Sequence, residues 1–171
     1  NFAREHYPTA AKAVFATSFG GYIALHSMSE LSDFVPVLRA PAITMADILV
    51  DNILKVKASD FSNAGHIICG FERKIDLPFS FYTEMRELPS LLREFPNKEM
   101  LVIHGDRDDI VPPPVIYEFA DKNSSVTLKI IKGAEKNPSV TLKIIEGADH
   151  RFKNRGEIDA VITYTKEYLS I

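Results

Sequence analysis

The sequence predicts an α/β fold, a mostly parallel β-sheet with flanking helices. Three observations carry this. Strand-like and helix-like patterns alternate along the 171 residues. The strand candidates are continuously apolar rather than alternating, as strands covered on both faces are. The stretch "AVFATSFGGYIAL", Ala13 to Leu25, passes from an apolar run through a cluster of small residues into a helical pattern.

Taken in order, residues 1 to about 8 read as the end of a helix stopped by Pro8. Lys12 to Ala16 reads as a short buried strand. Phe19 to Leu31 reads as a helix, with Ile23, Ala24, Ser27, Met28 and Leu31 on one face. "FVPVLRAPA", Phe34 to Ala42, reads as a second apolar strand, although Pro36 argues against a central position. Residues about 42–82 read as an insertion of short helices and loops. Glu84 to Phe95 has helical spacing, interrupted at Pro89. Met100 to Ile103 is the clearest strand, ended by Gly105. Val115, Ile116, Phe119 and Ala120 mark a helix whose first turn tolerates Pro112 to Pro114. Ile158, Val161, Ile162, Thr165 and Leu169 mark a terminal helix.

A chain with 46% hydrophobic and 25% charged residues suits one soluble domain with a real core. A net charge of −3 gives no electrostatic case for nucleic acid or for an anionic membrane. No apolar run approaches a bilayer span, and no signal peptide is visible. A single cysteine, Cys69, excludes an intramolecular disulfide and favours a reducing, cytoplasmic setting. Its apolar context, "IICGF", points to burial rather than reactivity. His6, His26 and His66 have no metal-ligand spacing, so no metal and no cofactor are expected.

The block "KNSSVTLKIIKGAE", residues 122–135, is followed at once by "KNPSVTLKIIEGAD", residues 136–149. Two copies are too few for a solenoid. The pair reads as a tandem duplication, and the second copy, contiguous with "DHRF", as the one forming the last strand.

The turn in "ATSFGG" sets Ser18 between strand and helix. A serine hydroxyl is a poor nucleophile unless a base and an oxyanion site accompany it. A sharp strand-to-helix turn lifts the side chain clear and aims a helix N-terminus at the substrate. Small residues are needed two before and two after, and Ala16 and Gly20 meet this. The alternative is a helix N-cap. Asp106, Asp108 and Asp109 serve equally as turn formers or caps before the proline-rich helix start. His104 reads as structural, and His150 alone as a loop histidine. Phe61, Phe71, Phe79, Phe81 and Tyr82 line a substrate pocket or simply pack the insertion.

Three segments together resemble the α/β-hydrolase family, in its order of serine, acid, histidine. They are "ATSFGG" around Ser18, "VIHGDRDDIVP" from Val102 to Pro112, and "GADHRF" from Gly147 to Phe152. Ala16 stands where the family's G-x-S-x-G has glycine. The resemblance covers most of the chain and implies a partial α/β-hydrolase fold with a lid-like insertion after the second strand. It implies Ser18 as nucleophile, His150 as base, Asp108 as the acid (Asp106 or Asp109 as substitutes) and the Phe19 N–H as an oxyanion donor. The expected activity is hydrolysis of a small carboxylic ester through an acyl-enzyme. A serine peptidase, an acyltransferase of the same fold, or a non-catalytic truncated fragment acting as a dimerising scaffold are the alternatives. A nucleotide-binding module is disfavoured, because no phosphate-loop motif follows any strand. The family has strands before the serine that a dozen residues do not supply. The strand at Ala13–Ala16 is therefore expected at an open edge, pairing with a second copy or with a missing N-terminal half.

Overall fold

The computed structural model describes residues 2–70, 73–95, 98–123 and 140–170. In chain order the elements are α1 (Phe2–His6), β1 (Ala13–Thr17), α2 (Phe19–His26), β2 (Val35–Arg39), α3 (Met45–Asp47) and a π-helix (Ile48–Leu54). They continue with α4 (Ala58–Ala64), β3 (His66–Cys69), β4 (Ile75–Pro78), α5 (Phe79–Glu87), β5 (Met100–Gly105), α6 (Pro113–Lys122), β6 (Val140–Ile145) and α7 (Arg155–Leu169).

Four strands form one parallel sheet in the order β1-β2-β5-β6. All six residues of β5 are buried. A strand presents alternate residues to opposite faces. Met100 and Val102 join Leu25, Leu38, Ile116 and Phe119 in one core, and Leu101 and Ile103 join Val37, Phe152 and Val161 in another. Burial on both faces is why "MLVI" shows no alternation.

β1 lies at the edge of the sheet, as expected of Ala13–Ala16, but the expectation of burial there is corrected: Phe15 is 51% exposed. Pro36 fits inside β2 because the ladder to β5 begins only at Val37, so no donor is missed there. α2 is shorter than the helix expected over Phe19 to Leu31, giving way to turns from Ser27. Its buried face is Tyr22, Ala24 and Leu25, and Ile23 points outward.

The segment after β2 contains α3, the π-helix and α4, as short elements. It also holds an antiparallel hairpin, β3–β4, which the mixed apolar and turn pattern of residues 65–82 does not disclose. α5 starts at Phe79 and ends at Glu87, so the helix expected over Glu84 to Phe95 is displaced toward the N-terminus. Leu88 is extended because the following Pro89 disfavours the helical conformation. Cys69 is half-buried on the hairpin, not in the core as its neighbours imply.

α6 begins with Pro113 and Pro114 in its first turn. β6 is the "VTLKII" of the second repeat block. Residues 124–135 of the first block and 136–139 of the second lie outside the described residues. α7 starts with a reciprocal cap: the Asn154 N–H donates to the Glu157 carboxylate at 3.1 Å, and Asn154 accepts from the N–H of Glu157. The helix is rotated from the face its spacing suggests. Glu157 and Val161 are buried with Tyr164 and Tyr168 beside them, while Ile158 and Ile162 are exposed. No helix among the described residues is long and apolar enough to cross a membrane.

Candidate active site

Ser18 sits between β1 and α2 with φ 50° and ψ −120°. A non-glycine residue rarely holds a positive φ, and such strain costs on the order of 1–3 kcal/mol. The turn is locked from several sides. The Ser18 N–H donates to Arg39 O at 3.0 Å, and Ser18 O accepts from Gly21, Tyr22 and Ala42. The tightest neighbour is Gly21, where a Cβ would fall 2.7 Å from Pro41 Cβ and 2.9 Å from its Cα. Gly20 has more room, its absent Cβ lying 4.0 Å from that of Ala16. The close approach therefore resides at Gly21, not at Gly20 as the motif suggests. The Ser18 side chain makes no capping bond to α2, which removes the N-cap reading. The hydroxyl is turned to His150 instead.

His150 Nε2 is 2.9 Å from Ser18 Oγ, and His150 Nδ1 is 2.8 Å from Asp108 Oδ2. Two acceptor-donor relations fix the ring: Asp108 only accepts, so Nδ1 carries a proton and Nε2 is left to accept from the serine. Asp108 Oδ1 accepts from the N–H groups of Ile110 at 3.0 Å and Val111 at 2.8 Å. One oxygen is thus held by the loop and the other is free to face the histidine. Among the three candidate acids, only Asp108 reaches His150. Asp106 Oδ1 accepts from the Gly147 N–H at 2.6 Å, and Asp109 lines the cavity beside His150.

The loop carrying the acid and the loop carrying the histidine are fastened together. The Arg107 N–H donates to Ala148 O at 3.1 Å, and Asp106 holds Gly147, which has φ +79°. Gly105 permits this approach, because a Cβ there would overlap the Ala148 backbone. On the far side, Asp149 Oδ1 accepts from Arg151 and Phe152, closing the turn around His150. Arg39 stacks over Phe152 at 5.1 Å, tying that turn to the end of β2. Asn52 of the π-helix donates to Ile110 O at 2.8 Å, so the inserted segment also braces the acid loop. Asp106, Gly105 and Asn52 had no sequence signal that singled them out for these roles.

Phe19 opens α2, and first-turn N–H groups have no partner within their helix. Its ring stacks on Tyr22 at 5.8 Å and meets Phe81 of α5 at 5.9 Å. Phe61, Phe79 and Tyr82 pack on one another inside the insertion, so for these three the packing reading holds. Phe71 lies outside the described residues. A cavity of about 300 Å³ opens beside His150, lined by Asp109, Ile110, Asp149, Arg151 and Lys153. No group of three or more His, Cys, Asp or Glu among the described residues is placed to hold a metal ion.

No family model and no curated protein matches the sequence. Solved structures do match in shape. Est1E from Butyrivibrio proteoclasticus, with ferulic acid bound, superposes with a TM-score of 0.72 at 18% identity, over 99% of this chain and 64% of that one. The mouse alpha/beta hydrolase domain-containing protein 10 gives 0.64 at 18%, over 99% and 66%. An esterase from Pyrococcus furiosus gives 0.60 at 21%, over 99% and 56%. The chain spans less than two thirds of each. The chain thus has the fold of the α/β-hydrolases over the part of that architecture it covers.

Proposed function

We propose that the protein is a serine hydrolase that cleaves carboxylic esters through an acyl-enzyme, with Ser18, His150 and Asp108 as its triad. The observation that carries this is His150 bridging the Ser18 hydroxyl and the Asp108 carboxylate at 2.9 Å and 2.8 Å. In the reaction, Ser18 Oγ attacks the ester carbonyl while His150 Nε2 takes its proton. The Phe19 N–H donates to the developing oxyanion. The tetrahedral species collapses, the C–O bond to the alcohol breaks, and His150 returns the proton to that alcohol. Water then attacks the Ser18 ester with His150 again as base, releasing the acid and the free serine. Asp108 holds the Nδ1–H and stabilises the imidazolium formed in each half.

The contact between Phe19 and Phe81 favours esters with an apolar or aromatic acyl group. Est1E, similar in fold, is seen with an aromatic acid. Stopped-flow hydrolysis of p-nitrophenyl butyrate tests the reading. A burst of p-nitrophenol matching the protein concentration, absent in Ser18→Ala, is the expected result. Linear release that Ser18→Ala retains would overturn it.

A further inference from the structure

His104 is the penultimate residue of β5 and is fully buried. Its Nε2 lies 3.0 Å from Val111 O and 3.7 Å from Asp108 Oδ2. Its Nδ1 is buried with no hydrogen-bond partner among the described residues. A carbonyl oxygen only accepts, so Nε2 carries the ring proton and Nδ1 is a bare acceptor. Burial also disfavours the imidazolium and pushes the His104 pKa below its ordinary value; the nearby Asp108 carboxylate opposes this in part. The titratable groups that act on the ring are Asp108 and His150.

A buried polar atom without a partner is costly, and an apolar side chain would fill the same place without that cost. The ring supplies two things an apolar residue lacks. It ties the Val111 carbonyl to the end of β5, and the Val111 N–H in turn donates to Asp108 Oδ1 at 2.8 Å. It also sets an N–H dipole near Oδ2 without a net charge. A charged His104 would compete with His150 for the carboxylate.

We propose that His104 is a positioning residue: as the neutral Nε2–H tautomer it fixes Val111 and turns the Asp108 carboxylate toward His150. The proposal rests on the triad reading above. Its test uses the full chain with 15N-labelled histidine, as wild type, His104→Gln and His104→Leu. Gln places an amide donor where Nε2 stands, and Leu removes it. The wild type should show His104 as neutral Nε2–H near pH 7. The downfield His150 Nδ1 proton, bonded to Asp108, should persist in His104→Gln and vanish in His104→Leu. The rate of fluorophosphonate labelling should fall at least tenfold in His104→Leu and recover most of that in His104→Gln.

An Nδ1–H or charged His104, or a His104→Leu protein that keeps the downfield proton and the wild-type labelling rate, would overturn the proposal. If His104→Leu fails to fold, the wild-type tautomer and the His104→Gln spectrum decide. If the wild type itself does not label, the triad reading fails, and the spectra still decide whether His104 orders the Asp108–His150 pair.

Discussion

Ser18 holds a positive φ that a serine does not choose, and the groups that impose it are identifiable: Arg39 O, Gly21 and the ring of Pro41. Two glycines in adjacent positions should therefore respond differently. Gly21→Ala forces a methyl into the Pro41 backbone and should lower stability by ~1–3 kcal/mol, the usual range for overpacking. Gly20→Ala meets only an ordinary contact and should cost little, since alanine also favours the helix. Thermal melts of the two variants check this, and equal losses would contradict it. His104 adds a pH signature. Its folded pKa is lowered from 6.5 by burial, so the unfolded chain takes up the proton first as pH falls. Stability from the neutral ring is complete above 6.5 and declines as pH drops below it. His104→Gln should show a flatter melting temperature between pH 7 and 5 than the wild type does. His26, half-buried and with its pKa lowered by desolvation and by Arg93, contributes in the same direction, so the flattening is partial.

At the scale of elements, ties that join segments distant in sequence decide the arrangement. Lys98 places its ammonium on three carbonyls, Leu31 O at 2.8 Å, Ser32 O at 3.1 Å and Phe34 O at 2.8 Å, holding the turn between α2 and β2. Lys98→Met leaves those carbonyls without that donor and should lower the denaturation midpoint with an unchanged slope. Helix α1 is docked by Arg4 on Asp33. That pairing holds the Asp33 carboxyl down at about 2, below its ordinary 3.8. A depressed acid contributes stability above its unfolded value and loses it as pH falls through the folded one. The difference between wild type and Asp33→Asn should therefore shrink as pH is lowered from about 4 toward 2, and be weakened by salt. The same distinction explains what could be read from the chain. β5 and β2 were legible because burial on both faces leaves an unbroken apolar run. The serine turn and the order serine–acid–histidine were legible because each is a local cluster. The β3–β4 hairpin was not, because its strands are four residues each and their apolar residues, such as Ile68 and Ile75, are largely exposed. Nor was the rotation of α7: Ile158 and Ile162 are apolar yet exposed, while Glu157 is buried by its cap to Asn154. Single residues such as Asn52 and Lys98 give no signal, since their partners lie tens of positions away.

For the whole molecule, the sheet ends at β1 with Phe15 half exposed beside backbone groups that no further strand pairs among the described residues. Open apolar edges promote association. Sedimentation should show concentration-dependent self-association that Phe15→Lys weakens; a wild type monomeric at all concentrations would contradict this. The repeat is a second whole-molecule matter. Asp108 and His150 are 42 positions apart, and 28 without one 14-residue block. The first block opens with Lys122-Asn123, and Asn123 bonds Phe95 N at 2.7 Å and Arg93 O at 3.0 Å. The second block opens with the same pair, Lys136-Asn137. Deleting residues 122–135 should bring Asn137 to that position and leave the melting temperature unchanged or higher; a clear drop would contradict the duplication reading. The proposed activity rests on the bridge from Ser18 through His150 to Asp108. The most direct test of that bridge is intact-mass measurement after exposure to a fluorophosphonate probe, with peptide mapping of the adduct. One adduct on Ser18 is expected in the wild type, none in Ser18→Ala, and slow or no labelling in His150→Ala and Asp108→Asn. A well-folded wild type that takes no adduct, or takes it away from Ser18, would contradict it.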